Sequence, residues 1–166
     1  MLNTPLHYNK KLQMKKKKTI ARGILRAADY LLDNQIGFIL RRANQRHTSI
    51  FAETITNELT PTRFSALSKI YELGSLSQNE LGRMTAMDVA TIKGVIDRLK
   101  RLNLVRTRAD PIDARRHLID LTPLGTVLIE RAIPKALTIS EKTLHPLSNE
   151  EQITLLKLLT KISLGN

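Results

Sequence analysis

The sequence predicts a mainly α-helical fold that carries one small two-stranded β-hairpin. Through most of the chain, apolar residues recur at helical spacing, and several of these stretches follow a residue that typically caps a helix. Residues 104–121 differ, because two short runs of strand-forming residues flank a polar link that contains a proline. The length of 166 residues is sufficient for one domain with a real core.

The composition favours a polyanionic partner. The chain has 27 lysines and arginines against 15 aspartates and glutamates, a formal net charge of +12. Such a charge favours nucleic acid first and an anionic membrane surface second. Residues 123–166 contribute little of it, with five basic and four acidic side chains, so we expect that segment to lie away from the partner.

Several other classes of protein are disfavoured. The absence of cysteine excludes disulfides, thiolate metal sites and thiol switches. No apolar run reaches the roughly 18 residues of a membrane span, and no apolar segment follows the basic start, so we expect a cytoplasmic protein. The four histidines are scattered and no acid–base or nucleophile–histidine set occurs, so we expect neither an enzyme nor a cofactor.

The first 58 residues predict a basic arm followed by helices. Residues 1–18 contain a lysine run and few apolar groups, which indicates a flexible arm. A short helix is predicted for residues 19–32, and a long amphipathic helix for residues 34–58.

Two helices are predicted between residues 60 and 84. Thr60 and Pro61 combine an N-cap with a proline at the first helical position, and Gly74 ends that helix. Ser77 and Glu80 then have the spacing of a capping box, which predicts a helix of little more than two turns.

A longer helix follows after a break of about three residues. Asp88 can cap it, and its apolar stripe extends from Val89 to Leu102. A short helix, a turn and a longer helix form a helix-turn-helix, whose second helix enters the DNA major groove. The predicted strands 104–108 and 117–121 form a hairpin directly after it, and a hairpin in that position is a wing. Residues 59–122 therefore predict a winged helix-turn-helix.

Residues 123–166 predict C-terminal dimerisation helices. Thr122 and Pro123 start a helix that extends to about residue 144, and Pro134 should kink or split it. Ser148 and Glu151 repeat the capping-box spacing before a last helix. Because that helix has more apolar surface than one face of a small domain needs, we expect it to bury against a partner.

The segment TPTRFSALSKIYELGSLSQNELGRMTAMDVATIKGVIDRLKRLNLVRTRADPIDARRHLIDLTPLG resembles the MarR family of bacterial transcriptional regulators. The resemblance extends over roughly residues 30–162. It implies a dimeric winged helix-turn-helix protein that commonly represses genes and releases DNA on binding a small molecule. It also implies that the N-terminal helices, residues 19–58, take part in dimerisation and line a ligand pocket. The stretch NQIGFILRRANQRHTSIF is similar to members that respond to aromatic acids.

The resemblance also implies a role for Asp113 and Arg115. In the family's wing motif the aspartate braces the arginine, which extends toward the minor groove, where a narrow A·T-rich tract attracts guanidinium groups. Members often have a further basic residue where Ala114 stands here, and Arg116 and His117 can compensate. The alternative is a plain surface ion pair, which would contribute only about 0 to 1 kcal/mol.

The longer helix of the pair is predicted to contact DNA with the side opposite its apolar stripe. The residues on that side are Ala90, Thr91, Lys93, Gly94, Arg98 and Arg101. The alternative is a solvated charged face stabilised by pairs such as Asp97 with Arg101. Ser77 and Gln78, at the start of the short helix, are predicted to hold a DNA phosphate, the alternative being a capping box without DNA contact.

A ligand site is predicted on the long N-terminal helix. Its candidate residues are Phe38, Arg42, Arg46, His47 and Phe51. Arg46 or His47 would pair with an anionic effector while the aromatic rings cover its apolar body. The alternative is that His47 is a satisfied core or interface residue.

Together these patterns and the resemblance predict a homodimeric repressor that binds a pseudo-palindromic operator in double-stranded DNA and is released by a small aromatic effector, with a carboxylate expected. One alternative is an architectural DNA-binding protein that responds to no ligand. Another is a protein that binds a membrane surface through its basic arm, but such a protein requires neither a capped helix pair nor a wing.

Overall fold

The computed structural model describes residues 30–55, 59–113 and 115–165. In these residues the chain forms, in order, α1 (Ile36–Thr54), α2 (Pro61–Leu73), β1 (Leu76–Ser77), α3 (Gln78–Met84), α4 (Val89–Arg101), β2 (Val105–Ala109), β3 (His117–Leu121), α5 (Pro123–Leu144) and α6 (Asn149–Leu164). A 3-10 helix, Leu32–Asn34, precedes α1. The predicted arm, residues 1–18, and most of the helix predicted for residues 19–32 lie outside the described residues.

Side-chain caps determine where five of the helices begin. In each case a side-chain oxygen accepts a hydrogen bond from the backbone N–H three residues later; the capping residues are Thr60, Ser77, Asp88, Thr122 and Ser148. Both predicted capping boxes are complete, the first with Glu80 and the second with Glu151. Loss of one such cap typically costs about 0.5 to 2 kcal/mol.

Helix α5 is one continuous helix with Pro134 inside it, so a split at that proline, one of the two predicted outcomes, is wrong. Proline leaves the carbonyl of the residue four positions earlier without its usual partner. Here that residue is Glu130, and both Glu130 and Pro134 are exposed. Water can bind the carbonyl oxygen, so the helix continues.

The strands form one antiparallel sheet in the order β1-β3-β2. The predicted hairpin is the β2–β3 pair, in which Thr107 lies opposite Ile119. The third strand, β1, was not predicted, and it pairs Leu76 with Ile119 and Ser77 with Leu118 on the other side of β3. This pairing ties the start of α3 to the hairpin.

The core joins the helix-turn-helix, the hairpin and α5. Its most deeply buried large side chains are Leu67, Leu81, Ile92, Leu99, Ile119, Ile129 and Ile139. Each such side chain stabilises the fold by about 1.5 to 3 kcal/mol. At Gly125 a side chain would overlap the carbonyl oxygen of Leu104, so the first turn of α5 packs directly on the backbone between α4 and β2.

The described residues fall into two units, the first ending at Leu40 and the second beginning at Arg41. In the first unit Tyr30, Leu31 and Ile36 are exposed. In the second, α6 contains no buried residue among those described. The mainly α-helical winged helix-turn-helix fold is confirmed, with a sheet of three strands rather than two.

Candidate nucleic-acid interface

Helices α3 and α4 form a tight helix-turn-helix. A side chain at Gly82 would meet the carbonyl oxygen of Met87 at 3.2 Å and Cγ2 of Ile92 at 3.3 Å, so only a glycine fits there without a shift. In the turn, Ala86 adopts a left-handed conformation, with φ of 52°. The close approach of the two helices fixes the direction in which α4 leaves the turn.

Helix α4 buries one face and exposes the other. Ile92, Val95, Ile96 and Leu99 are buried in the core. All six residues predicted to contact DNA from this helix are exposed: Ala90, Thr91, Lys93, Gly94, Arg98 and Arg101. The exposed face thus combines small residues near the start of the helix with basic residues toward its end, as a helix that enters the major groove requires.

Asp88 and Thr91 fix the start of α4. Oδ1 of Asp88 accepts the backbone N–H of Thr91, and Oδ2 accepts its hydroxyl, both at 2.8 Å. The backbone hydrogen bond, with that of the hydroxyl, lowers the pKa of the Asp88 carboxyl below its usual range. The Thr91 hydroxyl uses its hydrogen in this bond to Asp88. The methyl group and the hydroxyl lone pairs of Thr91 therefore remain available to contact a DNA base.

None of the residues that the structure describes explains a glycine at position 94. A side chain built there meets no atom within 4 Å, and Gly94 is exposed in the middle of α4. Glycine destabilises a helix by about 1 kcal/mol relative to alanine. The cost is accounted for if another molecule approaches the backbone at this point.

The predicted pairing of Asp113 with Arg115 is present at the tip of the wing. Nε of Arg115 donates to Oδ1 of Asp113 at 3.1 Å, and the backbone N–H of Arg115 donates to the same oxygen at 3.0 Å. The arginine side chain is nevertheless 93% exposed. The hydrogen bond from its side chain, followed by that from its backbone, lowers the pKa of the Asp113 carboxyl.

The loop between β2 and β3 is held by Asp110. This carboxylate is buried and accepts the backbone N–H of Ile112 at 2.9 Å, while the backbone N–H of Asp110 donates to the carbonyl of Arg116 at 2.8 Å. The loop is therefore closed at its base before its tip extends into solvent.

Arg116 has a different environment from its neighbour. Its guanidinium forms an ion pair with Glu80 of α3, lies 3.6 Å from Oδ2 of Asp110, and lies 3.5 Å from Oγ of Ser77. The hydrogen bond from Arg116, followed by those from the backbone and hydroxyl of Ser77, lowers the pKa of Glu80 to about 2. Arg116 was predicted to contact DNA, and its pair with Glu80 was not predicted.

A cleft of about 520 Å³ separates the start of α3 from the wing. Its lining residues are Ser77, Gln78, Asn79, Asp113, Arg115, Arg116 and His117. The structure thus brings together the predicted phosphate contacts of α3 and the predicted wing contacts. His117, which was expected to compensate at the wing, also lines the cleft, whereas Asn79 was not predicted. The position of Asn79 next to Gln78 is the signal that could have revealed it.

A second polar cluster on the sheet was missed by the sequence analysis. Asp120 accepts hydrogen bonds from Ser75 and, at 2.7 Å, from Nε of Arg108, and Arg108 also donates to Oγ of Ser75 at 3.0 Å. Burial, the largest single influence, raises the pKa of Asp120, but these hydrogen bonds together lower it. The arginines of β2 and the aspartate of β3, in paired strands of the predicted hairpin, are the signal that could have revealed the cluster.

The predicted ligand residues all lie in α1. Nη2 of Arg46 donates to the carbonyl of Lys142 at 3.0 Å, and Nδ1 of His47 lies 3.1 Å from Oγ1 of Thr143, both near the end of α5. Arg42 is exposed. Phe51 is buried in the core, with its ring 5.9 Å from that of Phe64 in an edge-to-face arrangement. Phe38, in the first unit, is partly buried.

Two further features concern other kinds of site. In the parts of the chain that the structure describes, no three histidine, aspartate or glutamate side chains gather as a metal site would require. None of the helices in the same residues combines the length and hydropathy of a membrane crossing.

The winged helix-turn-helix and its exposed basic face define the class of DNA-binding transcriptional regulators. Residues 59–117 match the MarR family. The chain is 39% identical over 150 residues to the HTH-type transcriptional repressor NicR of Pseudomonas putida, covering 90% of this chain and 95% of that protein. The chain belongs to the MarR family.

Two solved structures are also similar. A probable transcriptional regulator from Pseudomonas aeruginosa is 50% identical, with a TM-score of 0.76 and coverage of 80% of this chain and 99% of that one. BpsR of Bordetella bronchiseptica, whose DNA binding is regulated by 6-hydroxynicotinic acid, is 40% identical, with a TM-score of 0.73 and coverage of 78% and 98%.

Proposed function

We propose that this protein is a homodimeric repressor that binds a pseudo-palindromic operator and is released by a small aromatic carboxylate. The observation that carries the proposal is the exposed basic side of α4 beside a wing tip that presents Arg115. In this arrangement α4 reads base edges in the major groove while Arg115 enters the adjacent minor groove. Two such units, related by a twofold axis, would read half-sites about 10 base pairs apart.

Exposed apolar surface supports the dimer. In α6 the side chains of Ile153, Leu156 and Ile162 are 69%, 53% and 60% exposed. Near the start of the described chain, Tyr30 and Ile36 are also more than half exposed. A second copy of the chain would cover these surfaces, since apolar patches of this kind in soluble proteins mark sites of association.

The effector site is proposed around Arg46 and His47. Arg46 is exposed, and its guanidinium can bind a carboxylate through charge-assisted hydrogen bonds. His47 lies beside it on α1 and offers a second polar group. Support for the class of effector comes from BpsR, which responds to 6-hydroxynicotinic acid, and from the similarity to NicR.

Helix α5 offers a physical connection between effector and DNA. Its C-terminal turn carries Lys142 and Thr143, the partners of Arg46 and His47. At its start the hydroxyl of Thr122 donates to the carbonyl of Asn103, directly after α4. An effector that binds better to the dimer with wrongly spaced recognition helices would shift the population toward that state. The resulting loss of DNA affinity is set by the difference between the effector's affinities for the two states.

The test is a gel shift with the purified protein and the DNA upstream of its own gene. A panel of hydroxylated and nitrogen-containing aromatic acids is titrated at fixed salt, because phosphate contacts make DNA binding salt-dependent. The proposal expects a specific complex that one of these acids disrupts. Specific binding that no acid disrupts would support the repressor function and contradict the proposed effector. Equal binding to every duplex would indicate an architectural DNA-binding protein.

A further inference from the structure

We propose that Arg116 is a positioning residue, which holds the wing against helix α3 through Glu80 and so sets where Arg115 meets DNA. The inference rests on the proposed function, because it concerns how the wing reaches the operator. It changes the role of Arg116 from a DNA contact to an internal brace.

Two carboxylates of the chain itself lie beside Arg116. Glu80 lies in the first turn of α3, and Asp110 lies at the base of the wing loop. The Arg116 guanidinium is paired with the first and lies 3.6 Å from the second. It therefore joins the two elements that border the cleft between α3 and the wing.

The same carboxylate oxygen serves both the helix and the wing. Oε2 of Glu80 accepts the backbone N–H of Ser77 at 2.9 Å and the Ser77 hydroxyl at 2.8 Å, and it also pairs with Arg116. The capping box of α3 thus fixes the carboxylate to which the wing attaches. A pair whose acid is already held by its own helix loses less side-chain freedom when it forms.

The two adjacent arginines, Arg115 and Arg116, differ in solvent exposure. The side chain of Arg115 is 93% exposed, whereas that of Arg116 is 43% exposed and the side chain of Glu80 is 28% exposed. Arg115 is directed to solvent from a loop that Arg116 anchors. Because the residues are consecutive, a shift of Arg116 would move the backbone that carries Arg115.

Substitution of Glu80 by glutamine distinguishes a positioning role of Arg116 from a direct contact between Arg116 and DNA. The two roles predict opposite changes in DNA affinity. If Arg116 binds a DNA phosphate, removing the carboxylate that competes for it strengthens DNA binding. If Arg116 positions the wing, removing the carboxylate weakens DNA binding. Glutamine can still complete a capping box, so the start of α3 is preserved in Glu80→Gln.

The measurement uses the full chain and a duplex that the wild-type protein selects from random-sequence DNA. We expect Glu80→Gln to bind this duplex about three- to fivefold more weakly, the range of a partly exposed ion pair. The matched control is Glu151→Gln, which makes the same change of charge in the equivalent capping box of α6. Thermal melting of each variant establishes that it is folded.

A double-mutant cycle assigns the effect to the pair. Arg116→Gln should weaken binding by a similar factor, and Glu80→Gln should add little in the Arg116→Gln background. Hydroxyl-radical cleavage should show reduced protection in the minor groove for both single variants. Methylation of guanine N7 in the major groove should remain blocked, which a general loss of stability would not produce.

Binding by Glu80→Gln that equals or exceeds that of Glu151→Gln would overturn the inference while leaving the proposed function intact. Additive effects of Glu80→Gln and Arg116→Gln on DNA binding would also overturn the inference and leave the proposed function intact. A wild-type protein that enriches no sequence from the random pool would overturn the proposed function and the inference with it.

Discussion

Arg115 is bound twice to Asp113, because Oδ1 of the aspartate accepts both the Nε hydrogen and the backbone N–H of the arginine, at 3.1 and 3.0 Å. These hydrogen bonds hold the backbone and the guanidinium of an arginine whose side chain is 93% exposed. An arginine ordered before DNA arrives loses less conformational entropy on binding than a free one. In the proposed complex with DNA, the wing would present a preorganised cation to a narrow minor groove.

Removal of that cation should weaken DNA binding. We expect Arg115→Ala to lower affinity for the operator roughly tenfold, within the range of about 1 to 3 kcal/mol for a specific arginine contact. Asp113→Asn, which keeps the size of the brace but removes its charge, should have a smaller effect. Fluorescence anisotropy at fixed salt measures both, and equal affinity of Arg115→Ala and wild type would contradict the wing contact.

Gly94→Ala should change stability and DNA affinity in opposite directions. An added methyl group meets no atom of the described residues within 4 Å, and alanine favours a helix by about 1 kcal/mol over glycine. Urea denaturation should therefore show a more stable protein. The same methyl group should obstruct close approach of α4 to DNA and weaken operator binding several-fold. Unchanged affinity in the stabilised variant would show that DNA does not approach this backbone.

Protonation of Glu80 should remove a contribution to stability at low pH. Its pKa, about 2 in the folded chain, is below the ordinary value of 4.5 because it binds Arg116 and Ser77. A lowered pKa means that the contribution is complete above about pH 4.5 and is lost as the pH falls toward 2. The difference in unfolding free energy between wild type and Glu80→Gln should shrink over that interval. A difference that stays constant would contradict the lowered pKa.

Arg46→Ala should separate DNA binding from release. Because Arg46 lies on α1, outside α4 and the wing, its loss should leave operator affinity without effector close to that of wild type. The variant should require at least tenfold more aromatic acid for half-maximal release, since the charge-assisted hydrogen bonds to the carboxylate are gone. Isothermal titration with the acid identified in the gel shift gives the direct binding constant. Wild-type release would place the effector elsewhere.

Local chemistry explains which parts of the fold were predictable. Thr60, Asp88 and Thr122 cap helices through hydrogen bonds to residues three positions away, so short sequence windows contain the whole signal. Strand β1 was missed because it has two residues and pairs with a strand about 40 residues later. Such a pairing depends on how the chain folds back, and no local period reveals it.

The same distinction applies to the candidate site. The pairing of Asp113 with Arg115 spans two residues and was predicted from the wing motif. The pairing of Arg116 with Glu80 spans 36 residues and becomes visible only when β3 lies beside the start of α3. The exposed side of α4 was predictable because its apolar stripe determines the buried face.

A hydroxyl-radical footprint of the wild-type protein on DNA selected from a random pool tests the central claim most directly. The proposed homodimer should protect two half-sites about 10 base pairs apart, related by a twofold axis, with minor-groove protection where each wing lies. Protection without that symmetry, or protein bound uniformly to any sequence, would contradict a dimeric repressor that reads an operator through α4 and Arg115.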